Sequence, residues 1–336
     1  MIDRRTFLRA AAATGLAGPS LGAPFVARAA EPFTIFQITY RGETDVERGF
    51  RDYLEQRGIA ANIIHRSAEL DPSRVPEILK EVRAVKPDLV YTWGTPTTIA
   101  AFGKAGDADP ARYITDIPGV FTMVSAPEAA GLVDDLQSSG RNITGTSHVV
   151  PPEAQLRAME AYRPFDKLGV LYTPTEQNSI AIVAAIRAFQ QSFGFVLEER
   201  TFPLDADGKP TAGTAGELVT SLSEAGAEWL YYLPDTFLAT NIDKVAPAAT
   251  ALGLPGFSAV ELLQHDALIS LVSRYYSLGQ LTAYKAEQIL VNGVAPADIP
   301  IETLKRFSLI INMKLARELQ LYPPLGMLSY ANVLTD

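Results

Sequence analysis

Apolar residues recur along the chain in two alternating periods. From Phe33 to Thr39 the run Phe-Thr-Ile-Phe-Gln-Ile-Thr is rich in β-branched and aromatic residues and predicts a strand. Glu43 to Arg57 then places Val46, Phe50 and Leu54 at i, i+4 and i+8, one face of a helix that Gly58 ends. Ala60 to His65 predicts a second strand. Ser73 to Val85 predicts a helix with Val75, Ile78, Leu79 and Val82 facing inward, and Leu89 to Trp93 a buried strand stopped by Gly94. The rhythm continues with a helix from Pro96 to Gly103, a strand from Gly119 to Val124 and a helix from Ala129 to Gln137. Strands follow at Lys167 to Tyr172, Val196 to Phe202, Glu228 to Leu233 and Gly256 to Ser258. Helices separate them at Ser179 to Phe193, Ala215 to Ala225 and Asn241 to Leu252.

Strands alternating with helices of this length imply parallel sheets built from right-handed crossovers. The pattern runs twice, over residues 33–146 and 165–260, and between the two sets lie Arg141 to Thr146 and the pair Pro151-Pro152. A core this large tends to split into two. After Ala267 a strand of Leu-Ile-Ser-Leu-Val precedes a long helix from Tyr276 to Val291. Two more strands follow, Ile299 to Thr303 and Phe307 to Asn312, and then a helix from Met313 to Leu319. A tail that returns to both sets predicts an α/β protein of two Rossmann-like lobes, each with a parallel sheet, joined by a multi-strand hinge. The N-terminal lobe is expected to comprise residues 30–146 plus about 272–300, and the C-terminal lobe residues 147–271 plus about 301–336.

The first 29 residues fall outside this pattern. Arg4-Arg5-Thr6-Phe7-Leu8-Arg9 precedes a small, apolar stretch from Ala10 to Leu21 and an Ala27-Arg28-Ala29 site, the three-part order of a secretory signal. The arginine pair points to the twin-arginine route, an address and not an anchor. The expected destination is the periplasm. The whole chain has a formal charge of −9; its first thirty residues hold four arginines against Asp3, a net of +3, leaving −12 for the remainder. That excess of negative charge argues against nucleic acid or anionic membrane as a partner. The chain has no cysteine, so no disulfide, thiolate nucleophile or lipid-bearing thiol is expected. The three histidines, His65, His148 and His265, lack the spacing of a metal site and read as surface or loop residues. No nucleotide-binding, serine-hydrolase or zinc-protease motif occurs, and neither a metal nor a cofactor is expected.

In parallel sheets ligands collect at the C-terminal ends of strands, where helix N-termini present backbone N–H groups. The candidates are therefore the residues that follow each predicted strand. They are Tyr40 and Arg41; Thr95, Pro96, Thr97 and Thr98; Ser125; Asn178 and Ser179; Asp235 and Thr236; and Ser258 and Glu261. Serine, threonine, aspartate and asparagine are also the preferred helix caps, so only convergence on one edge distinguishes a site from a set of caps. Asp235 and Glu261 are candidates for a ligand ammonium, and Arg41 or the Thr97 and Thr98 amides for a carboxylate. Tyr40, Trp93, Tyr172 and Phe237 are candidate apolar walls.

Several ordered pieces carry a family resemblance. They are Lys86-Pro-Asp-Leu-Val leading to Gly94-Thr95-Pro96, Ile117-Pro118-Gly-Val-Phe121, Gly140-Arg-Asn142-Ile-Thr144-Gly145, Gln177-Asn178-Ser179, Leu233-Pro234-Asp235-Thr236, Leu254-Pro255-Gly256-Phe257-Ser258 and Tyr275-Tyr276-Ser-Leu278-Gly279. Together they resemble the ABC-transporter substrate-binding proteins of the type I periplasmic-binding fold, whose better-understood members bind aromatic amino acids. The resemblance spans about Phe33 to Leu321. It implies that Thr95 to Thr98, Ser125, Asn178-Ser179, Asp235-Thr236 and Ser258 line a cleft between the lobes. The chain departs from the family pattern at Ala126-Pro127, where Asp-Pro is usual, and at Tyr40-Arg41-Gly42-Glu43. The implied protein is not an enzyme. It is a monomeric periplasmic solute-binding component that takes an amino-acid-like or aromatic, carboxylate-bearing ligand and delivers it to an ABC permease. A ligand-presenting subunit of a sensory system and a secreted α/β enzyme are the alternatives.

Overall fold

The computed structural model describes residues 31–107 and 109–335; the export signal expected at 1–29 lies outside the described residues. The first sheet is formed by β1 (Phe33–Thr39), α1 (Asp45–Gln56), β2 (Ala61–Ser67), α2 (Val75–Val85), β3 (Leu89–Trp93), α3 (Thr95–Phe102), β4 (Gly119–Thr122) and β5 (Ile143–Gly145). Its strands are all parallel, in the order β2-β1-β3-β4-β5. The second set comprises α4 (Pro152–Tyr162), β6 (Lys167–Tyr172), α5 (Gln177–Ala188), α6 (Gln190–Phe193), β7 (Val196–Thr201), α7 (Ala215–Glu224), β8 (Trp229–Tyr232), α8 (Thr236–Thr240), α9 (Ile242–Ala251), β9 (Gly256–Ser258) and β10 (Ile269–Val272). The chain then returns to the first sheet as α10 (Tyr275–Leu290). It finishes the second with β11 (Ser308–Asn312), α11 (Met313–Glu318), α12 (Leu325–Leu328) and β12 (Asn332–Leu334). The second sheet runs β12-β11-β10-β9-β8-β6-β7 and is parallel except between β10 and β11.

Burial explains the patterns read from the chain. Strand β3 is buried at every position, as a central parallel strand covered on both faces must be, and so reads as a continuous apolar run. Helix α1 buries Val46, Phe50 and Leu54 on one stripe and is closed at its start by a reciprocal capping box between Thr44 and Glu47. On one face of the first sheet Phe50, Leu54 and Tyr91 pack with Leu278, Ala283 and Ala286 of α10. On the other, Leu79 and Val82 of α2 pack with Phe36, Val90 and Phe102. The second sheet carries its own core around Val170, Trp229, Tyr231 and Phe257. Helices α1 and α10 touch at glycines: a methyl at Gly49 would meet the Tyr276 carbonyl, and one at Gly279 that of Val46.

Some elements differ from the expectation. Residues 129–137 form turns, not a helix: Gly131 takes φ +70° and the Leu132 amide bonds back to the Pro127 carbonyl. So short a segment with a glycine inside cannot offset the cost of helix nucleation. The stretch expected as a strand at 299–303 is reduced to one bridge, Thr146 to Glu302. Residues 143–145, read as part of a connector, form β5. Pro152, also read as connector, is the first residue of α4, where its missing N–H costs nothing. Helix 179–193 begins at Gln177 and breaks at Phe189 into α5 and α6. The chain passes between the sheets three times, after β5, after β10 and before β11.

Candidate functional site

Each sheet has one place where strand order reverses, between β1 and β3 in the first and between β6 and β8 in the second. A crevice opens beyond the carboxyl ends of the strands at such a point, because the crossovers on its two sides leave in opposite directions. Both crevices contribute to one cavity, about 520 Å3 of empty space counted to its open mouth. The first sheet supplies Tyr40 and Arg41 after β1, Trp93 and Gly94 at the end of β3, Thr95 and Pro96 entering α3, and Met123 and Ser125 after β4. The second supplies Asn178 from the first turn of α5, Pro234, Asp235, Thr236 and Ala239 around α8, and Val260 and Leu262 after β9. His148 comes from the first passage between the sheets, and Tyr275 from the start of α10.

The backbone is shaped for this wall. Gly94, at φ +85°, lets β3 turn into α3 directly against the Cβ of Tyr40. Met123 holds φ +57°, a conformation costly for a side chain of its size and one that concentrates at functional sites.

Arg41 is the cation of the cavity. Its guanidinium lies over the Trp93 ring, 5.4 Å from the centroid. Its buried Nε has no hydrogen-bond partner, and among the described residues no carboxylate pairs with it. Trp93 is 7% exposed and its Nε1 is likewise without an acceptor. His148 is 5% exposed with an unpartnered Nδ1, and burial pushes its pKa down to about 4, so the ring is neutral near pH 7.

The carboxylates are differently placed. Asp235 caps α8 by accepting from the Leu238 amide at 2.7 Å. It also accepts from the Thr173 amide (2.7 Å), the Thr173 hydroxyl (2.9 Å) and the Ser179 hydroxyl (2.8 Å). Glu176 is close enough to feel its charge and accepts from the Thr236 amide at 2.9 Å and the Phe237 amide at 3.0 Å. Burial, and then the neighbouring Asp235, push the Glu176 carboxyl up to about 7.

Of the thirteen residues expected from the sequence, Tyr40, Arg41, Thr95, Pro96, Ser125, Asn178, Asp235 and Thr236 lie on the cavity wall. The other five are not part of the wall, and the Thr97 hydroxyl, though buried, has no hydrogen-bond partner. Thr98 bonds to the Thr92 hydroxyl and the Gly94 carbonyl, and Thr97 is fully buried. Ser179 is committed to Asp235, and Ser258 closes a turn on Val260. Glu261 accepts from the Tyr275 amide and pairs with Arg274 at 3.0 Å, so its carboxylate is spent on the start of α10. Tyr172 and Phe237, expected as walls, pack in the core of the second sheet. The sequence reading passed over Met123, Val260, Leu262, Tyr275 and above all His148, a loop residue as expected but a buried one. Met123 falls inside the strand predicted at Gly119 to Val124 and only follows a strand end because β4 stops at Thr122; nothing local in the sequence distinguishes His148.

A family model described as ABC transporter substrate binding protein matches residues 37–333. The chain belongs to this family. Over 276 residues it is 26% identical to a protein of Clostridioides difficile (strain R20291) named tyrosine-binding protein, with 79% of this chain and 74% of that one covered. Among solved structures it is similar to a Streptococcus pneumonia protein in complex with L-Trp, at 25% identity and a TM-score of 0.74, covering 89% of this chain and 100% of the other. It shares its fold with a conserved domain protein of Vibrio cholerae, at 24% identity and a TM-score of 0.78, covering 91% and 100%. Two parallel-sheet lobes make this substrate-binding protein a member of the type I periplasmic-binding fold, as the resemblance implied.

Proposed function

We propose that this substrate-binding protein is the periplasmic component of an ABC importer, exported by the twin-arginine route. In this role it captures a small carboxylate-bearing molecule with an apolar or aromatic body between its lobes, as a monomer, without chemical change. The observation that carries the proposal is Arg41: a guanidinium with no protein carboxylate beside it, stacked on Trp93 inside the interlobe cavity. A planar guanidinium with free donors matches a carboxylate in two-point geometry. Tyr40, Trp93 and Tyr275 supply aromatic surface beside it. The relatives named for tyrosine binding and solved with L-Trp support a ligand of amino-acid size. Ligand contacts from both lobes exist together only in the closed arrangement, so binding energy is the energy of closure. No step in capture and release requires a nucleophile or a metal. Calorimetry with ligand stripped from the protein and added back tests the site: Arg41→Met is expected to weaken binding about thirtyfold or more. Unchanged affinity with an unchanged melting temperature would remove Arg41, and with it the carboxylate, from the proposal.

A further inference from the structure

Resting on the interlobe cavity as the ligand site, we propose that its ligand is an organic anion without a charged amine, an aromatic carboxylate in preference to a zwitterionic amino acid. The support is the balance of unsatisfied groups on the wall. Arg41 Nε and Trp93 Nε1 are both buried and both without partners, and each of these groups donates and cannot accept. A ligand that satisfies them brings acceptors. His148, neutral and with Nδ1 unpartnered, adds a third polar contact that carries no charge.

A ligand ammonium brings three N–H donors and a positive charge, and burying it without a carboxylate is costly. Asp235 is the one carboxylate on the wall, and it already receives four hydrogen bonds on two oxygens, which offer about four lone-pair positions. For Asp235 to accept from a ligand, one of these bonds must break and leave a buried donor unpaired, at about 1–3 kcal/mol. Glu176 is not part of the wall; its two oxygens accept from the Thr236 and Phe237 amides, with the Asn178 side-chain amide 3.5 Å from one of them. Glu261 is held by Arg274 and the Tyr275 amide. The remaining polar groups of the wall are neutral. The wall therefore presents a free cation and free donors to a ligand, and its one carboxylate is already fully engaged.

Three matched pairs isolate the amine: tryptophan and indole-3-propionate, tyrosine and 3-(4-hydroxyphenyl)propionate, phenylalanine and 3-phenylpropionate. Calorimetry on the ligand-stripped full chain at neutral pH is expected to show, in at least one pair, the deaminated acid binding about tenfold or more tighter than its amino acid. Trp93→Phe, which keeps an aromatic ring and removes the indole N–H, is expected to weaken that acid by about three- to tenfold. If in every pair with measurable binding the amino acid binds as tightly or more tightly, the inference is overturned and the interlobe ligand site stands. If neither member of any pair binds, the aromatic-carboxylate reading of the site falls together with the inference.

Discussion

Burial leaves the His148 imidazole neutral, its pKa pushed down to about 4 from an ordinary 6.5. Between these values the unfolded chain takes up a proton that the folded chain refuses, so stability falls as pH falls through that window; above it the group adds no pH dependence. Glu176 acts in the opposite sense. Its folded pKa is raised to about 7 from 4.5, so its contribution is complete below pH 4.5 and lost as pH rises through 7. Because the two windows overlap, a variant separates them better than the wild-type curve does. His148→Phe is expected to lose less melting temperature than the wild type between pH 6.5 and 4, with the difference vanishing above pH 7; parallel melting curves across that range would show that His148 is not the buried neutral group. Asp235 shows how far hydrogen bonding can change what a carboxylate is for. Three of its four donors, the Thr173 amide and hydroxyl and the Ser179 hydroxyl, lie 56 to 62 residues away in the chain. The sequence offers Asp235 as a free acid for a ligand ammonium; the fold turns it into the cap that holds α8 at the cavity.

Among the elements, α10 is the one that binds the returning chain to the first sheet, and its contact with α1 depends on two residues without side chains. Alanine at Gly279 would gain about 1 kcal/mol in helix propensity. Its methyl would press on the Val46 carbonyl, and overpacking of this kind costs about 1–3 kcal/mol. Since the obstacle is backbone and cannot change rotamer, the clash outweighs the propensity. Gly279→Ala is expected to lower the urea midpoint, whereas Gly216→Ala in α7, where a methyl would meet only the Ala248 Cβ at an ordinary 4.0 Å, is expected to raise it. Equal and positive shifts would contradict the close approach. Both helices were legible in the sequence, because a 3.6-residue apolar stripe survives in any buried amphipathic helix. That they cross at glycines was not legible, because the two contacts join residues more than 200 positions apart. Short elements were read least well. β5 and β12 have three residues each, too few for any period to show, and α4 was hidden behind a proline that marks its start.

At the scale of the molecule, the cavity exists because two sheets with the same kind of switch point share one ligand space. Tyr40, Arg41 and Trp93 come from one sheet and Asn178, Pro234 and Thr236 from the other, so a ligand that touches both sets stabilises only the arrangement that brings them together. Small-angle scattering is expected to show a smaller radius of gyration when a binding carboxylate is added to the wild type, and no change on its addition to Arg41→Met. Compaction of both proteins would place the driving contacts elsewhere than Arg41. The three passages between the sheets constrain this motion. The first carries His148 into the cavity wall, and the second places Tyr275 there, tied through its amide to Glu261 of the opposite lobe.

The sequence by itself determined the alternation of strands and helices, their division into two sets, and the strand-end segments from which a site had to be drawn. Those features depend on local period, local turn chemistry and the exit direction of parallel strands, all of which act within about ten to twenty residues. Only the tertiary structure decided which of the polar residues at those ends face a ligand. Thr98 and Ser179 are hydroxyl residues like Thr95 and Thr236, but their hydroxyls are bound within the protein, to Thr92 and Gly94 and to Asp235, whereas Thr95 and Thr236 lie on the cavity wall. A donor or acceptor is free for a ligand when no distant segment satisfies it, and that is a property of three-dimensional proximity which no residue carries in its own neighbourhood.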